Sequence, residues 1–230
     1  MHSIYPRSHY CKTQDCERSQ RIALKKAESR QCVLFTMNGP IPVWSVHLYC
    51  ESECISIQVS WTSVCSLLLI SECKINYHSN FWVKDGERTY YQENPDVLQV
   101  GEHQFFEIRV INMWTSMMLL AWSSATNCAR IYNTAFTATN CPEWQFKLAV
   151  TSRQVYDAFE LLSLLEDCKI RQEPLIVPHD GTLKDRFSAL IHARNSRFRL
   201  CSQPELFHYC AKCTRFFDSS MCAFYMQEVY

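Results

Sequence analysis

The sequence is poor in glycine, and this shortage limits the kinds of ligand site that it can build. Only four glycines occur among its 230 residues, and each of them stands alone at a predicted turn. Because phosphate-binding loops need several closely spaced glycines, the sequence excludes that class of site. The net charge is also zero, with 23 basic and 23 acidic side chains, which argues against a strongly cationic nucleic-acid binder.

Long hydrophobic runs are missing as well. The most apolar run, residues 65–70, is far shorter than the roughly 20 residues that span a bilayer. The first ten residues have no apolar segment of the kind that a secretory signal contains. We therefore expect a soluble intracellular protein with no membrane contact. An apolar fraction of 47% is enough for a packed core, so the composition excludes wholesale disorder.

Cysteine is the residue that the sequence has in unusual number, with 14 copies. In a reducing compartment, thiols bind metals or lie buried more often than they form disulfides. Two pairs stand close in sequence, Cys11 with Cys16 and Cys50 with Cys54, and Cys73 follows downstream. Thiolate and imidazole are the usual ligands of zinc, which takes four of them in a structural site. The pattern predicts a closed zinc site that stabilises the fold and leaves no position for catalysis.

The fourth ligand of this site is either Cys54 or Cys73. The sequence does not choose between them, because each is the last residue of a Ser-Glu-Cys tripeptide. His78 is a further candidate, although a histidine in a strand more often forms a hydrogen bond. Near the C-terminus, Cys210 and Cys213 have the spacing of half a zinc knuckle, and half a site binds metal poorly. The remaining cysteines are scattered and are predicted to be buried as small apolar residues. The predicted metal ligands are Cys11, Cys16, Cys50, Cys54, Cys73, His78, Cys210 and Cys213.

Turn signals and hydrophobic periodicity predict an α+β fold. Strands are predicted over residues 31–37 and 42–49, and a hairpin over residues 81–91. After residue 100 the apolar period changes from that of a strand to that of a helix. Helices are predicted over residues 102–121, 127–137, 152–168 and 183–195. Thr182 is the predicted N-cap of the last one.

These elements divide the chain into three predicted parts. Residues 1–100 form a β-rich zinc-binding domain, residues 101–200 a helical region, and residues 201–230 the truncated half of a second cysteine cluster. The acidic side chains of the helical region lie on amphipathic helix faces, where solvated carboxylates belong. A nuclease-like metal site needs two or three carboxylates that converge, so we expect no catalysis.

Two groups of polar side chains are candidates for DNA contact. The first two predicted helices are joined by a short turn, as in a helix-turn-helix, and asparagine and arginine pair bidentately with adenine and guanine. The second group lies along and after the fourth predicted helix, where arginines can hold phosphates. An ordinary helical hairpin and a solvated surface are the alternatives for these residues. The predicted DNA-binding residues are Asn127, Arg130, Asn133, Arg194, Arg197 and Arg199.

Several different short motifs lie along much of the sequence, at residues 44–50, 77–81, 100–105, 122–130, 177–179, 193–195, 203–206, and 208–210 with Cys213. Through them the sequence resembles the cysteine-cluster proteins associated with KDZ (Kyakuja–Dileera–Zisupton) transposases of mushroom-forming fungi. The resemblance implies a nuclear zinc-chelating module that accompanies a transposase and contacts DNA or chromatin. A zinc-stabilised protein–protein interaction module and a decayed transposon fragment are the alternatives. The expected partners are DNA, a KDZ transposase or another protein, with no small-molecule substrate.

Residues 55–73 depart from the pattern of that family, in which the second cysteine pair leads almost directly to the Tyr77-His78 element. Removing them restores the family-like run Tyr-Cys-Glu-Ser-Glu-Cys-Lys-Ile-Asn-Tyr-His. Their 19 residues correspond to 57 nucleotides, the length of a short fungal intron. Translated intron and tolerated surface insertion are therefore both open interpretations of this segment.

Overall fold

A computed structural model describes the chain over residues 2–13, 16, 19, 22–51, 53–58, 67–93, 95–136 and 144–200. Side chains are described in these ranges except at residues 53–58, 67–72, 183–184 and 198–200. The predicted C-terminal half-site, with Cys210 and Cys213, lies outside the described residues.

The described residues form the α+β fold that the sequence predicts. The strands are β1 (His2–Ile4), β2 (Lys25–Thr36), β3 (Gly39–Cys50), β4 (Glu53–Gln58), β5 (Leu67–Glu72), β6 (Ile75–Tyr77), β7 (Phe81–Lys84), β8 (Glu87–Tyr90), β9 (Val97–Gln99), β10 (Gln104–Glu107) and β11 (Ile176–Pro178). The helices are α1 (Ile108–Leu120), α2 (Ala125–Ala135), α3 (Ser152–Ile170) and α4 (Leu183–Leu200).

Nine of these strands form one curled sheet. Its order is β11-β8-β7-β6-β3-β2-β10-β9, and β1 pairs with β3 outside this path. The long central pair β2–β3 turns between Thr36 and Gly39, where Gly39 has a φ of 110° that side-chain-bearing residues rarely adopt. The predicted strands here and the predicted hairpin β7–β8 are confirmed. β2 starts earlier than predicted because residues 25–30, apart from the bulge between Lys26 and Glu28, keep their backbone pairing with β3.

The predicted start of the first helix is wrong. Gln104–Glu107 forms β10, which lies between β2 and β9, and α1 begins at Ile108. Phe105 packs with Cys32 in one core cluster, whereas Phe106 stacks on Phe35 in another. Because neighbouring residues of a strand point to opposite faces, these two buried phenylalanines require a strand rather than a helical stripe.

The other three helices are confirmed, with small changes at their ends. α2 begins two residues early because Ser124 accepts a hydrogen bond from the backbone N–H of Asn127. α3 is capped reciprocally by Thr151 and Gln154. Thr182 accepts from the backbone N–H of Asp185, so the predicted cap of α4 is confirmed. Of the helices in the described ranges, none combines the length and apolar character needed to cross a membrane.

The main hydrophobic core lies between the sheet and the helices. Phe35 and Phe106 come from the sheet, Trp114 from α1, Tyr132 from α2 and Leu161 from α3. Residues on both sides of position 100 therefore contribute to one core, and the predicted division of the chain there stays a prediction. A second, smaller cluster of buried residues surrounds the N-terminal cysteines.

The segment that departs from the family pattern forms a hairpin of its own. β4 pairs with β5 from Glu53↔Glu72 to Gln58↔Leu67, and among the described strands neither joins the nine-stranded sheet. A self-paired hairpin begins and ends at the same place, so it brings the residues before and after it close together. This topology carries the chain from the end of β3 out along the hairpin and back to Cys73.

Candidate metal centre

Four cysteine side chains converge beside the ends of β3 and β6: Cys11, Cys16, Cys50 and Cys73. Their sulfur atoms all lie within 4.8 Å of one another. Cys11 Sγ lies 3.5 Å from Cys73 Sγ, and Cys16 Sγ lies 3.5 Å from Cys50 Sγ. Zinc–sulfur bonds of about 2.3 Å in a regular tetrahedron place the sulfur atoms about 3.8 Å apart. The four sulfur atoms are therefore close enough together to hold one tetrahedral metal ion.

All four cysteines are buried, with exposures between 0% and 3%. Leu24, Val46, Leu48 and Ile75 are buried in the same cluster. A thiolate in such surroundings is costly unless a counter-charge lies beside it, and a bound divalent cation supplies that charge. Because all four sulfur atoms face each other in a buried cluster, no side of the set is open to a substrate. This arrangement is typical of a structural ion rather than a catalytic one.

The sheet positions two of these cysteines and the N-terminal segment positions the other two. Cys50 ends β3 and pairs with Ile75, the first residue of β6, so Cys73 lies just beyond this pair. Cys11 and Cys16 lie on the segment between β1 and β2, which is folded back on itself. The N–H of Leu24 donates to the carbonyl oxygen of His9, and these two residues enclose both cysteines.

Two hydroxyl groups contact the sulfur atoms. Tyr77 Oη lies 3.2 Å from Cys11 Sγ, and Thr13 Oγ1 lies 3.6 Å from Cys73 Sγ. Burial raises the pKa of Tyr77, and its hydrogen bond with Cys11 acts in the same direction, so the phenol keeps its proton. Sequence reasoning missed both residues. No local signal marks either residue, because the two contacts join positions 66 and 60 residues apart in the sequence.

His78, a predicted ligand, does not belong to the cysteine cluster. It follows Tyr77 directly and therefore points to the opposite face. Its ring stacks on Phe81 at 4.5 Å and lies 4.1 Å from the ring of His47, between centroids. Burial, together with the nearby positive charge of Arg88 and the adjacent histidines, lowers the pKa of His78 to about 2. The imidazole is therefore neutral at physiological pH.

The remaining candidate ligand of the first site is Cys54. It lies on β4, opposite Ser71, and its side chain lies outside the described residues. Cys73 occupies the fourth position of the cluster among the described side chains, and the choice between Cys54 and Cys73 stays a prediction.

Three described cysteines outside the cluster are buried, as predicted for small apolar residues. Cys32 and Cys128 are fully buried in separate core clusters, and Cys168 is nearly so. Burial raises the pKa of the Cys32 thiol to about 11 and also raises the pKa values of Cys128 and Cys168. All three are therefore protonated thiols that are poorly suited to nucleophilic chemistry.

The three candidate DNA-binding residues of α2 have different surroundings. Asn127 and Arg130 are exposed to solvent. Asn133 instead bonds the backbone of Val150 with both ends of its amide: Nδ2 donates to the carbonyl oxygen and Oδ1 accepts from the N–H, each at 2.8 Å. Asn133 therefore joins α2 to the segment before α3, while Asn127 and Arg130 remain accessible.

The candidate arginines of α4 lie beside acidic side chains of α3. Arg197 bonds Asp167 at 2.6 Å, and Asp167 also bonds Arg171 at 3.2 Å. Arg194 lies close enough to Glu166 to oppose the rise that burial causes in the pKa of this carboxyl group. The side chain of Arg199 lies outside the described residues. In the structure, the described arginines of this group contact another helix of the same chain.

Comparison with known proteins agrees with this geometry. A family model described as a CxC5-like cysteine cluster associated with KDZ transposases matches residues 1–136. No curated protein and no solved structure matches the chain. The matched residues contain all four clustered cysteines and end just after α2. Because the match covers more than half of the sequence, the resemblance is confirmed, and the chain belongs to the family of CxC5-like cysteine clusters associated with KDZ transposases.

Proposed function

We propose that the protein is a non-catalytic module, stabilised by zinc, that accompanies a KDZ-type transposase in the nucleus and contacts DNA. The observation that carries the proposal is the convergence of four buried sulfur atoms within 4.8 Å. Tetrahedral sets of four thiolates are typical of zinc and of iron. Zinc is the simpler choice for a structural role, because it has no redox chemistry and needs only ligand geometry.

The surroundings of the cysteines support a structural rather than a catalytic ion. Among the described residues, the side chains that come together as potential metal ligands are these four cysteines, and the group contains no carboxylate. Four protein ligands complete a tetrahedral shell, so no position remains for an activated water molecule. The ion would instead connect the N-terminal segment, through Cys11 and Cys16, to the last residue of β3 and to the residues just before β6.

Metal analysis of the full chain, purified without a chelator, tests the zinc proposal. We expect about one zinc per chain, removable by a strong chelator. The Cys16→Ser variant should lose the zinc, whereas Cys168→Ser, which alters a buried thiol outside the cluster, should keep it. A wild-type protein that binds no metal, or that contains disulfides among the four cysteines, would contradict the proposal.

DNA contact is supported by the exposed side chains on α2. Asn127 lies in the first turn of this helix and Arg130 at its middle, and both can pair with base edges. We expect duplex DNA binding that weakens steeply with salt, because phosphate contacts release counterions. Asn127→Ala and Arg130→Ala should each weaken binding by roughly 1 to 3 kcal/mol. Arg153→Ala on α3 is the matched control, and equal losses in all three variants would contradict this assignment.

A protein partner is the second candidate, favoured by exposed apolar side chains near the same helix. Leu120 and Trp122, at the end of α1, are 79% and 65% exposed, and Ile131 on α2 is 47% exposed. Leu120 and Trp122 stand two residues apart, and neighbouring exposed apolar side chains are typical of protein interaction sites. Association with a KDZ transposase that persists at high salt and is lost in Trp122→Ser would favour this candidate over DNA.

A further inference from the structure

Tyr77 places its hydroxyl group between the N-terminal segment and the cysteine cluster. Its side chain is 0% exposed, and Oη lies 3.2 Å from Cys11 Sγ and 2.9 Å from the backbone nitrogen of Lys12. The backbone of Tyr77 pairs with Leu48 on β3 and with Trp82 on β7. Pairing with two neighbouring strands fixes the backbone of this residue, and burial restricts the movement of its side chain.

The chemistry of the three groups sets the direction of these hydrogen bonds. The N–H of Lys12 donates to Tyr77 Oη, so the hydroxyl group can donate its own proton elsewhere. When Cys11 holds a metal ion it is a thiolate and has no proton to give. Tyr77 is then the donor and Cys11 Sγ the acceptor. Two donors in series point toward the negative sulfur, and each bond polarises the next.

We propose that Tyr77 is a positioning residue that holds Cys11 in its ligating orientation and stabilises its negative charge. This inference rests on the metal-binding function proposed above. Four thiolates around one divalent cation leave a net negative charge in a buried site, and a hydroxyl donor offsets part of it. A thiolate that accepts a hydrogen bond is displaced from the metal ion less readily. Partners of this kind typically change metal affinity by about ten- to a hundredfold.

The Tyr77→Phe variant tests the inference, because it removes the hydroxyl group and keeps the ring. Tyr132→Phe is the matched control: Tyr132 is also buried, and its hydroxyl group donates to the carbonyl oxygen of Thr36 at 2.7 Å, away from the cysteines. With zinc bound, the first variant should transfer the ion to a chelator about tenfold faster than wild type or more. The second variant should transfer it at the wild-type rate.

The spectrum of the cobalt-substituted protein separates this role from simple packing. Loss of a hydrogen bond raises the energy of the sulfur electrons, so the thiolate-to-cobalt charge-transfer band of Tyr77→Phe should move to longer wavelength. Tyr132→Phe should keep the wild-type band. If Tyr77→Phe does not fold, the wild-type protein loaded with ¹¹³Cd decides the question. A scalar coupling between ¹¹³Cd and the Tyr77 hydroxyl proton would support the bond, and a hydroxyl proton without that coupling would overturn it.

Each possible negative result refutes a different claim. A wild-type chain that binds neither zinc nor cobalt refutes the proposed function, and the inference falls with it. A chain that binds both metals, with a Tyr77→Phe variant that matches wild type in transfer rate and in charge-transfer band, refutes the role of Tyr77 alone. A change of equal size in Tyr132→Phe also refutes it, because the effect would then come from general destabilisation.

Discussion

The choice of the fourth ligand gives the sharpest test of the metal centre. Cys54 and Cys73 end identical Ser-Glu-Cys tripeptides; the sulfur of Cys73 lies in the cluster, and the side chain of Cys54 lies outside the described residues. Replacing Cys73 by serine removes one soft ligand from a buried four-sulfur set and leaves three thiolates without a complete shell. The same change at Cys54 alters a residue of the separate β4–β5 hairpin and should leave the ion in place.

The expected loss of stability follows from linkage between metal binding and folding. A ligand that binds only the folded chain stabilises it by about 4 kcal/mol when present at a thousand times its dissociation constant. Losing one of four thiolates should weaken affinity enough to remove this contribution at micromolar zinc. For a domain of this size, 1 kcal/mol corresponds to roughly 2 to 4 °C in melting temperature. Cys73→Ser should therefore melt about 8 to 16 °C below wild type in zinc.

Thermal melts with and without a chelator are the appropriate measurement. We expect the wild-type protein and Cys54→Ser to lose stability by a similar amount when zinc is removed, because both keep the four clustered sulfur atoms. Cys73→Ser should melt at the same temperature in both conditions. If Cys54→Ser is the variant that no longer responds to zinc, or if both variants respond fully, then the assignment of Cys73 is refuted.

A shortened chain extends this test to the hairpin itself. Deleting residues 55–73 joins Cys54 to Lys74 and recreates the sequence context that Cys73 now has. Because β4 and β5 pair with each other and with no other described strand, their removal should leave the sheet and the zinc content unchanged. In this background Cys54→Ser should abolish zinc binding, although it has no effect in the full chain. A shortened chain that fails to bind zinc would contradict this reasoning.

Three further outcomes follow from individual contacts. Asn133→Ala should lower the free energy of urea unfolding by about 2 kcal/mol, since two hydrogen bonds to Val150 are lost, while Asn127→Ala should change it little. The pKa of His78 is about 2 in the folded chain against 6.5 unfolded, so the unfolded state alone binds a proton between these values. Stability should therefore fall with falling pH through this window, by up to about 1.4 kcal/mol per pH unit, and His78→Gln should reduce that slope in urea titrations of the metal-free protein. Hydrogen peroxide added after zinc removal should oxidise the four clustered thiols, and peptide mass spectrometry should find two disulfides among Cys11, Cys16, Cys50 and Cys73.

Local signals in the sequence were sufficient for much of the fold. The hairpin β7–β8 and the start of α3 could be predicted because turn residues and caps act over three or four positions. Local signals also predicted three of the four residues of the cysteine cluster. Cys11, Cys16 and Cys50 were singled out by short spacings and by the Leu-Tyr-Cys end of a predicted strand, and the structure brings their sulfur atoms together.

The remaining features depend on contacts between distant parts of the chain. Phe105 and Phe106 fit a helical stripe in sequence, and the parallel pairing of β10 with β2, some 70 residues earlier, makes them a strand. The choice between Cys54 and Cys73 depends on where the β4–β5 hairpin returns the chain. The Tyr77–Cys11 contact joins residues 66 positions apart, so no local pattern could predict it.

The position of the cysteine cluster limits what a bound metal ion can do for the protein. Four of the nine buried residues in its cluster are cysteines, so sulfur atoms occupy much of a core too small to be stable from apolar contacts alone. α2 belongs instead to the main core, together with α1 and α3. Loss of the ion should therefore loosen the N-terminal segment and leave α2 packed. A partner that binds through Asn127 and Arg130 would tolerate the loss of zinc, whereas a partner that binds the N-terminal segment would not.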